Sequence, residues 1–152
     1  MAKFKFKLEA VLKQRQALED VAQRELAKVM RQRMIMHDQL RTMQNTIVSS
    51  KRDLTDGLMG QVDMTSVGQF ARYSVQVRQR AHGIVAQLAN VERLVEAARL
   101  KLIEASRDRK VIDRLREKHY NKWLLEQQRR EAAELDEIGT GQYAHRMMAE
   151  TS

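Results

Sequence analysis

Two apolar series, each repeating every three and four residues, constrain this 152-residue chain more than anything else in it. The longer runs Val67, Phe70, Ser74, Val77, Ala81, Ile84, Leu88, Val91, Val95, Ala98, Leu102, Ala105, with Ser74 its one polar member. The other runs Ala22, Leu26, Val29, Arg33, Met36, Leu40, Met43, Ile47, Ser50, Leu54, interrupted at Arg33 and Ser50. A 3,4 spacing places all members on one stripe of an α-helix, and a stripe held over several heptads is a coiled-coil seam. Proline would break such a helix by removing a backbone donor and crowding the preceding turn. Average usage would supply about seven or eight prolines at this length, and there is none. With only six glycines as well, a β-sandwich, a collagen-like chain and a flexible linker are all disfavoured.

One stretch before the C-terminal tail reads as a break. Residues 55–66 contain Asp56-Gly57, a strong turn dipeptide, and Gly57 is suited to the positive φ of a helix C-terminal cap. Ser66 followed by Gln69 resembles a capping box that starts the next helix. Gly68 and Gly83 each cost about 1 kcal/mol in a helix, yet the periodicity runs through both. Two seams of matching phase joined by a short turn predict an all-α fold, a long antiparallel two-helix coiled-coil hairpin with an overhanging second helix. The chain is read as one domain, 1–152: helix one at about 5–55, the turn at about 56–65, helix two at about 66–138, and a mobile tail at 139–152. Facing residue numbers then sum to about 121, which sets Leu54 near Val67, Leu40 near Ala81 and Leu26 near Val95.

Away from the turn the seam weakens. Helix one continues backwards through Glu19, Arg15, Leu12 and Leu8, with Val11 and Leu18 on the neighbouring stripe. Helix two continues through Arg109, Ile112, Arg116, His119, Trp123, Glu126 and Arg130. Two readings are compatible: a stutter that shifts the stripe to Val111 and Leu115, or open ends that another protein completes. At 1.5 Å per residue the helices would span roughly 75 and 108 Å, so helix two overhangs by about 20 residues, 118–138. Tyr120, Trp123, Leu124, Leu125 and Leu135 would then have no cover from their own chain, as on a docking surface.

Charge concentrates at the same ends. The chain carries 28 basic and 20 acidic residues, a net charge of +8. Nine Lys or Arg face four acids in 1–33, nine face five in 107–131, and 132–152 reverses sign with four acids and only Arg146. Interleaved acids make much of this a solvated helix face; what remains suits an acidic protein surface. No block of five or six basic residues occurs and aromatics do not alternate with cations as on a stacking platform, so nucleic acid is not an expected partner. No window holds 18 consecutive apolar residues, so direct membrane insertion is not expected, and without a secretory signal a cytoplasmic protein is the default.

Catalysis has little to rest on. His37, His82, His119 and His145 show no i,i+4 pair and no HExxH, and zero cysteines leave neither thiolate ligand nor thiol nucleophile. The pairs Gly57/Gly60 and Gly139/Gly141 lack the lysine and strand of a phosphate loop. Met30, Met36 and Met43 read as core filler. A non-enzyme with no cofactor and no metal is expected.

The opening Phe4-Lys5-Phe6-Lys7-Leu8-Glu9-Ala10-Val11-Leu12-Lys13-Gln14-Arg15, with Glu19, Ala22, Glu25, Leu26 and Ala27 after it, resembles the start of the flagellar export protein FliJ family. Arg109-Lys110-Val111, Leu115, Glu117, Arg129-Arg130-Glu131 and Leu135-Asp136-Glu137-Ile138 are similar to that family's end. The resemblance implies a component of the bacterial flagellar type III protein export apparatus, at the cytoplasmic face of the basal body. Its members form an antiparallel coiled coil like the γ shaft of rotary ATPases. They engage the hexameric export ATPase through the helix ends and link it to the membrane export gate and to export chaperones. Carried onto this sequence, the ATPase-facing set is Phe4, Phe6, Leu8, Leu12, Arg15, Arg109, Lys110, Leu115, Trp123 and Arg130. A mid-coil gate-facing patch would fall on Gln39, Phe70 and Tyr73, although Met43, Thr46 and Ser50 stand where tyrosines occur in some members. The alternatives are a holdase-like export chaperone and the equivalent rod of a virulence type III secretion system. Free stripes would also let two hairpins pair at high concentration.

Overall fold

The computed structural model describes residues 2–57 and 63–151. It is all-α, with two long helices packed against each other and no strand among the described residues. Helix α1 spans Glu9–Gly57, 49 residues, and α2 spans Met64–Glu150, 87 residues. The turn expected at about 56–65 falls mostly on residues 58–62, which, like Gly60, lie outside the described residues. Contacts divide the chain into two compact units, 18–105 and 1–17 with 106–152.

In the 18–105 unit the seam is the one the periodicity names. Every residue of both series within it is buried or half-buried, while the positions between are largely exposed. Val29, Val91 and Val95 form the core cluster, with Leu26 and Met36 packed on it, which brings the Leu26 end of helix one and the Val95 end of helix two into one core. Leu54 lines one groove with Ser66 and Phe70. Arg33, the charged exception on helix one, reaches Glu92 across the seam at 3.5 Å.

The cap of α2 differs from expectation. Ser66 does not begin the helix; Asp63 does, accepting the Thr65 amide at 3.0 Å and the Ser66 hydroxyl at 3.0 Å. Ser66 therefore supports an aspartate cap instead of forming its own box, because Asp63 is nearer the first free amides. Nor does Gly57 take a positive φ: no described glycine does, and α1 ends on it in helical backbone.

In the other unit two boundaries move. Helix α1 begins at Glu9, not near residue 5, and residues 2–6 run ahead of it without regular structure. At the far end α2 continues to Glu150, so residues 139–150, expected to lie past the helix, are helical. No proline stops α2 there, and two glycines alone only tax a helix.

Candidate functional site at the paired helix ends

The site is built on an alternation. In Lys3-Phe4-Lys5-Phe6-Lys7 the segment is not helical, and burial alternates from one residue to the next. Phe6 is buried and Phe4 half-buried, whereas Lys3, Lys5 and Lys7 are exposed. The phenylalanines thus anchor a strap and the lysines become its outer surface. A turn closes it, with the Glu9 amide donating to the Phe6 carbonyl at 3.2 Å and the Leu12 amide to the Leu8 carbonyl at 2.9 Å.

The strap lies on α2. Phe4 meets Tyr120 edge-on with ring centroids 5.3 Å apart, and Trp123 at 5.8 Å. Tyr120 and Trp123 stack at 5.8 Å, and Phe6 stands edge-on to His119 at 5.6 Å. The Arg116 guanidinium sits 5.7 Å from the Phe4 ring centroid while its Nε donates to Glu9 Oε2 at 3.0 Å. Each aromatic pair contributes about 0.5–1.5 kcal/mol beyond its buried area. This corrects the expectation that Trp123 has no cover: the segment assigned to the start of helix one is not helical and leaves it half-buried, whereas Tyr120 touches Phe4 yet stays 41% exposed. Beyond Trp123, Leu124, Leu125 and Leu135 are exposed, as expected.

The weakened seam is closed by charge. Arg15 donates to Asp108 at 3.1 Å, Arg116 pairs with Glu9, and Arg109 pairs with Asp113 one turn on. Being partly exposed, such pairs add little stability each, but they hold Arg15, Arg109 and Arg116 half-buried on the original stripe, while His119 of that stripe is exposed and Leu115 of the shifted one is half-buried. Val111, to which the stripe was to shift, is 65% exposed. Asp108, Glu9 and Tyr120 were missed as partners in the sequence, although opposite charges facing each other in the hairpin register signalled the first two.

The residues carried over for ATPase contact separate into two groups. Phe6 and Leu12 are buried, and Phe4, Leu8, Arg15, Arg109, Leu115 and Trp123 are half-buried, so these build the tip. Lys110 and Arg130 are exposed. In the 18–105 unit the residues carried over for gate contact line different grooves: Gln39 lines one with Ile84, and Phe70 another with Ser50 and Leu54. Tyr73 is exposed. Among the described residues no three His, Asp or Glu side chains gather as a metal site, and no helix is long and apolar enough to cross a membrane.

The sequence matches the family described as flagellar FliJ protein over residues 4–148. The chain belongs to the FliJ family. The match reaches from the strap to within a few residues of the end of α2, so the FliJ assignment takes in the paired ends and both helices. It makes the chain a component of flagellar protein export. No curated protein and no solved structure matches it.

Proposed function

We propose that this FliJ-family chain is a non-enzymatic shaft and adaptor of the export apparatus. Its paired ends engage the hexameric export ATPase, and the 18–105 unit contacts the export gate and export chaperones at the cytoplasmic face of the basal body. The observation that carries the reading is the outward row of Lys3, Lys5 and Lys7 over an aromatic interior. A tip whose phenylalanines are already occupied by its own chain offers a partner the lysine row there, with exposed Leu124 and Leu125 following Trp123. Exposed Lys110, Arg114, Lys118 and Lys122, spaced four residues apart on one face of α2, add further positive charge to the same unit. Such a surface suits an acidic ring entrance, and charge of this kind acts mainly on encounter rate and orientation. Exposed Lys110 and Arg130 are then the direct contacts of the carried-over set, with Phe6 and Leu12 shaping the tip behind them. Gate contact at Gln39, Phe70 and Tyr73 would use separate points along the coil.

Binding within a ring would favour the assembled hexamer by mass action, since only the hexamer presents the pore. The test is to titrate the full chain into the purified ATPase and follow sedimentation and phosphate release. Both should rise, and Lys3→Glu, Lys5→Glu and Lys7→Glu together should weaken the effect most at low salt, with Trp123 fluorescence unchanged. If wild-type protein alters neither hexamer formation nor turnover, the shaft reading is wrong.

A further inference from the structure

From Gln128 to Glu150 every residue of α2 is exposed. Within this stretch Glu131, Glu134, Leu135 and Ile138 stand at i, i+3, i+4 and i+7, one face of the helix. That face is apolar with an acidic margin, and 132–152 as a whole holds four acids against Arg146 alone.

The 18–105 unit carries the opposite chemistry. A shallow groove on α1 is lined by Met30, Met34, His37, Arg31 and Arg41, with Ala27, Arg33 and Asp38 completing it. All of these belong to α1, so α2 closes no part of the groove. Met30 and Met34 are exposed, and methionine is the apolar side chain that most readily reshapes to a partner. Arg33 is taken by Glu92, which leaves Arg31 and Arg41 beside a single aspartate, Asp38, that lies 4.0 Å from Arg41 in an exposed pair. Such a pair is readily exchanged for a better one.

We propose that these two surfaces bind each other between copies of the chain. Leu135 and Ile138 of one molecule lie on Met30 and Met34 of a second, with Glu131 and Glu134 beside Arg31 and Arg41. The acidic face is about two helical turns long and the groove about four, so the groove accepts all of it. A second copy is the occupant because the complementary signs reside on the same chain. Each molecule thus carries one donor face and one acceptor groove, so the face of one copy can occupy the groove of another. The small apolar area makes the association weak and concentration-dependent, while the charges fix partner and orientation.

Sedimentation velocity of the full-length protein at rising concentration tests this. Self-association is expected at low ionic strength, with the dissociation constant weakened about tenfold or more in ~0.5 M salt. Arg31→Glu with Arg41→Glu, and separately Glu131→Lys with Glu134→Lys, should each leave a monomer of unchanged helicity. Mixing the two variants should restore a one-to-one complex, because each retains the surface the other lacks. Should charge reversal reduce helicity, Arg31→Gln with Arg41→Gln gives the same reading without it. A wild-type protein that stays monomeric throughout overturns the proposal. Association that persists in both variants, or a mixture that does not associate, overturns it equally.

Discussion

Phe4 stands edge-on to Tyr120, its ring plane turned 80° from the tyrosine's, although the two lie at opposite ends of the sequence. This contact explains why α1 does not begin at residue 5. In a helix Phe4 and Phe6 would point in directions about 200° apart and only one could reach α2. In a non-helical strap both fall on the same side. Burial of two aromatic rings outweighs the few helical hydrogen bonds forgone, since each intramolecular hydrogen bond nets only about 1 kcal/mol.

Trp123 is the chain's only tryptophan, and its indole packs against Phe4 as well as Tyr120, so its emission reports on docking of the strap. Phe4→Ala should shift that emission to longer wavelength as water reaches the ring. Global helicity should change little, because α1 starts beyond the strap. Unchanged emission in the variant would mean that the strap is not docked in solution.

Val95 is 1% exposed at the centre of the 18–105 seam, whereas Val111 is 65% exposed. Val95→Ala is therefore expected to destabilise its unit by about 2 kcal/mol, as for removal of a buried branched side chain. Val111→Ala should stay within about 0.5 kcal/mol, the range for surface changes. Thermal melts of the pair measure the difference, and equal melting temperatures would mean that Val111 is as buried as Val95 in solution.

The hydroxyl of Ser74 is the one buried side-chain polar group among the described residues without a hydrogen-bond partner. It occupies a seam position where every neighbour in the series is apolar. Ser74→Ala should raise stability by about 1 kcal/mol, because the cost of an unmet buried hydroxyl disappears with it. Denaturant unfolding of the two proteins checks the sign.

How far the sequence revealed this structure depended on the kind of interaction. The 22–105 seam was legible down to individual residues because a heptad repeat is a local signal, repeated many times, that only one helix face satisfies. The cap was misplaced by three residues, since Asp63 and Ser66 are both good cap residues and only backbone geometry separates them. The strap was not legible as a strap. Its period of two was visible in Lys3-Phe4-Lys5-Phe6-Lys7, but its energy comes from rings more than a hundred residues away. The ion pairs lay between these cases, readable once Arg15 is set opposite Asp108 and Glu9 opposite Arg116. The division of the carried-over tip residues into buried and exposed needed the strap first, because only as part of the strap does Phe6 pack on α2 against His119.

Gly139 and Gly141 lie inside α2 with nothing within 4 Å of where a Cβ would stand on either. Glycine in a helix costs roughly 0.5–1 kcal/mol relative to alanine through backbone entropy. Gly139→Ala with Gly141→Ala should thus strengthen the end of α2, where no packing supplements intrinsic propensity. Slower amide exchange over 135–150, with exchange in 18–105 unchanged, is the expected result.

The carboxyl of Asp63 is held below the usual aspartate range, chiefly by the Thr65 amide and then by the Ser66 hydroxyl, both of which donate to the charged form. A depressed folded pKa means that the unfolded chain binds the proton more readily in the interval between the two values, so stability rises with pH across it. The cap's contribution is accordingly complete above the ordinary carboxylate pKa of about 3.9 and is lost as pH falls through the lower folded value. In a pH titration the Thr65 amide resonance of the folded protein should move with a midpoint under that of a free aspartate. Ser66→Ala should raise the midpoint by removing one donor. Asp63→Asn, which keeps a cap acceptor but cannot ionise, should abolish the transition at Thr65 while leaving α2 helical. A Thr65 resonance titrating with the midpoint of a free aspartate would show that the cap is made elsewhere.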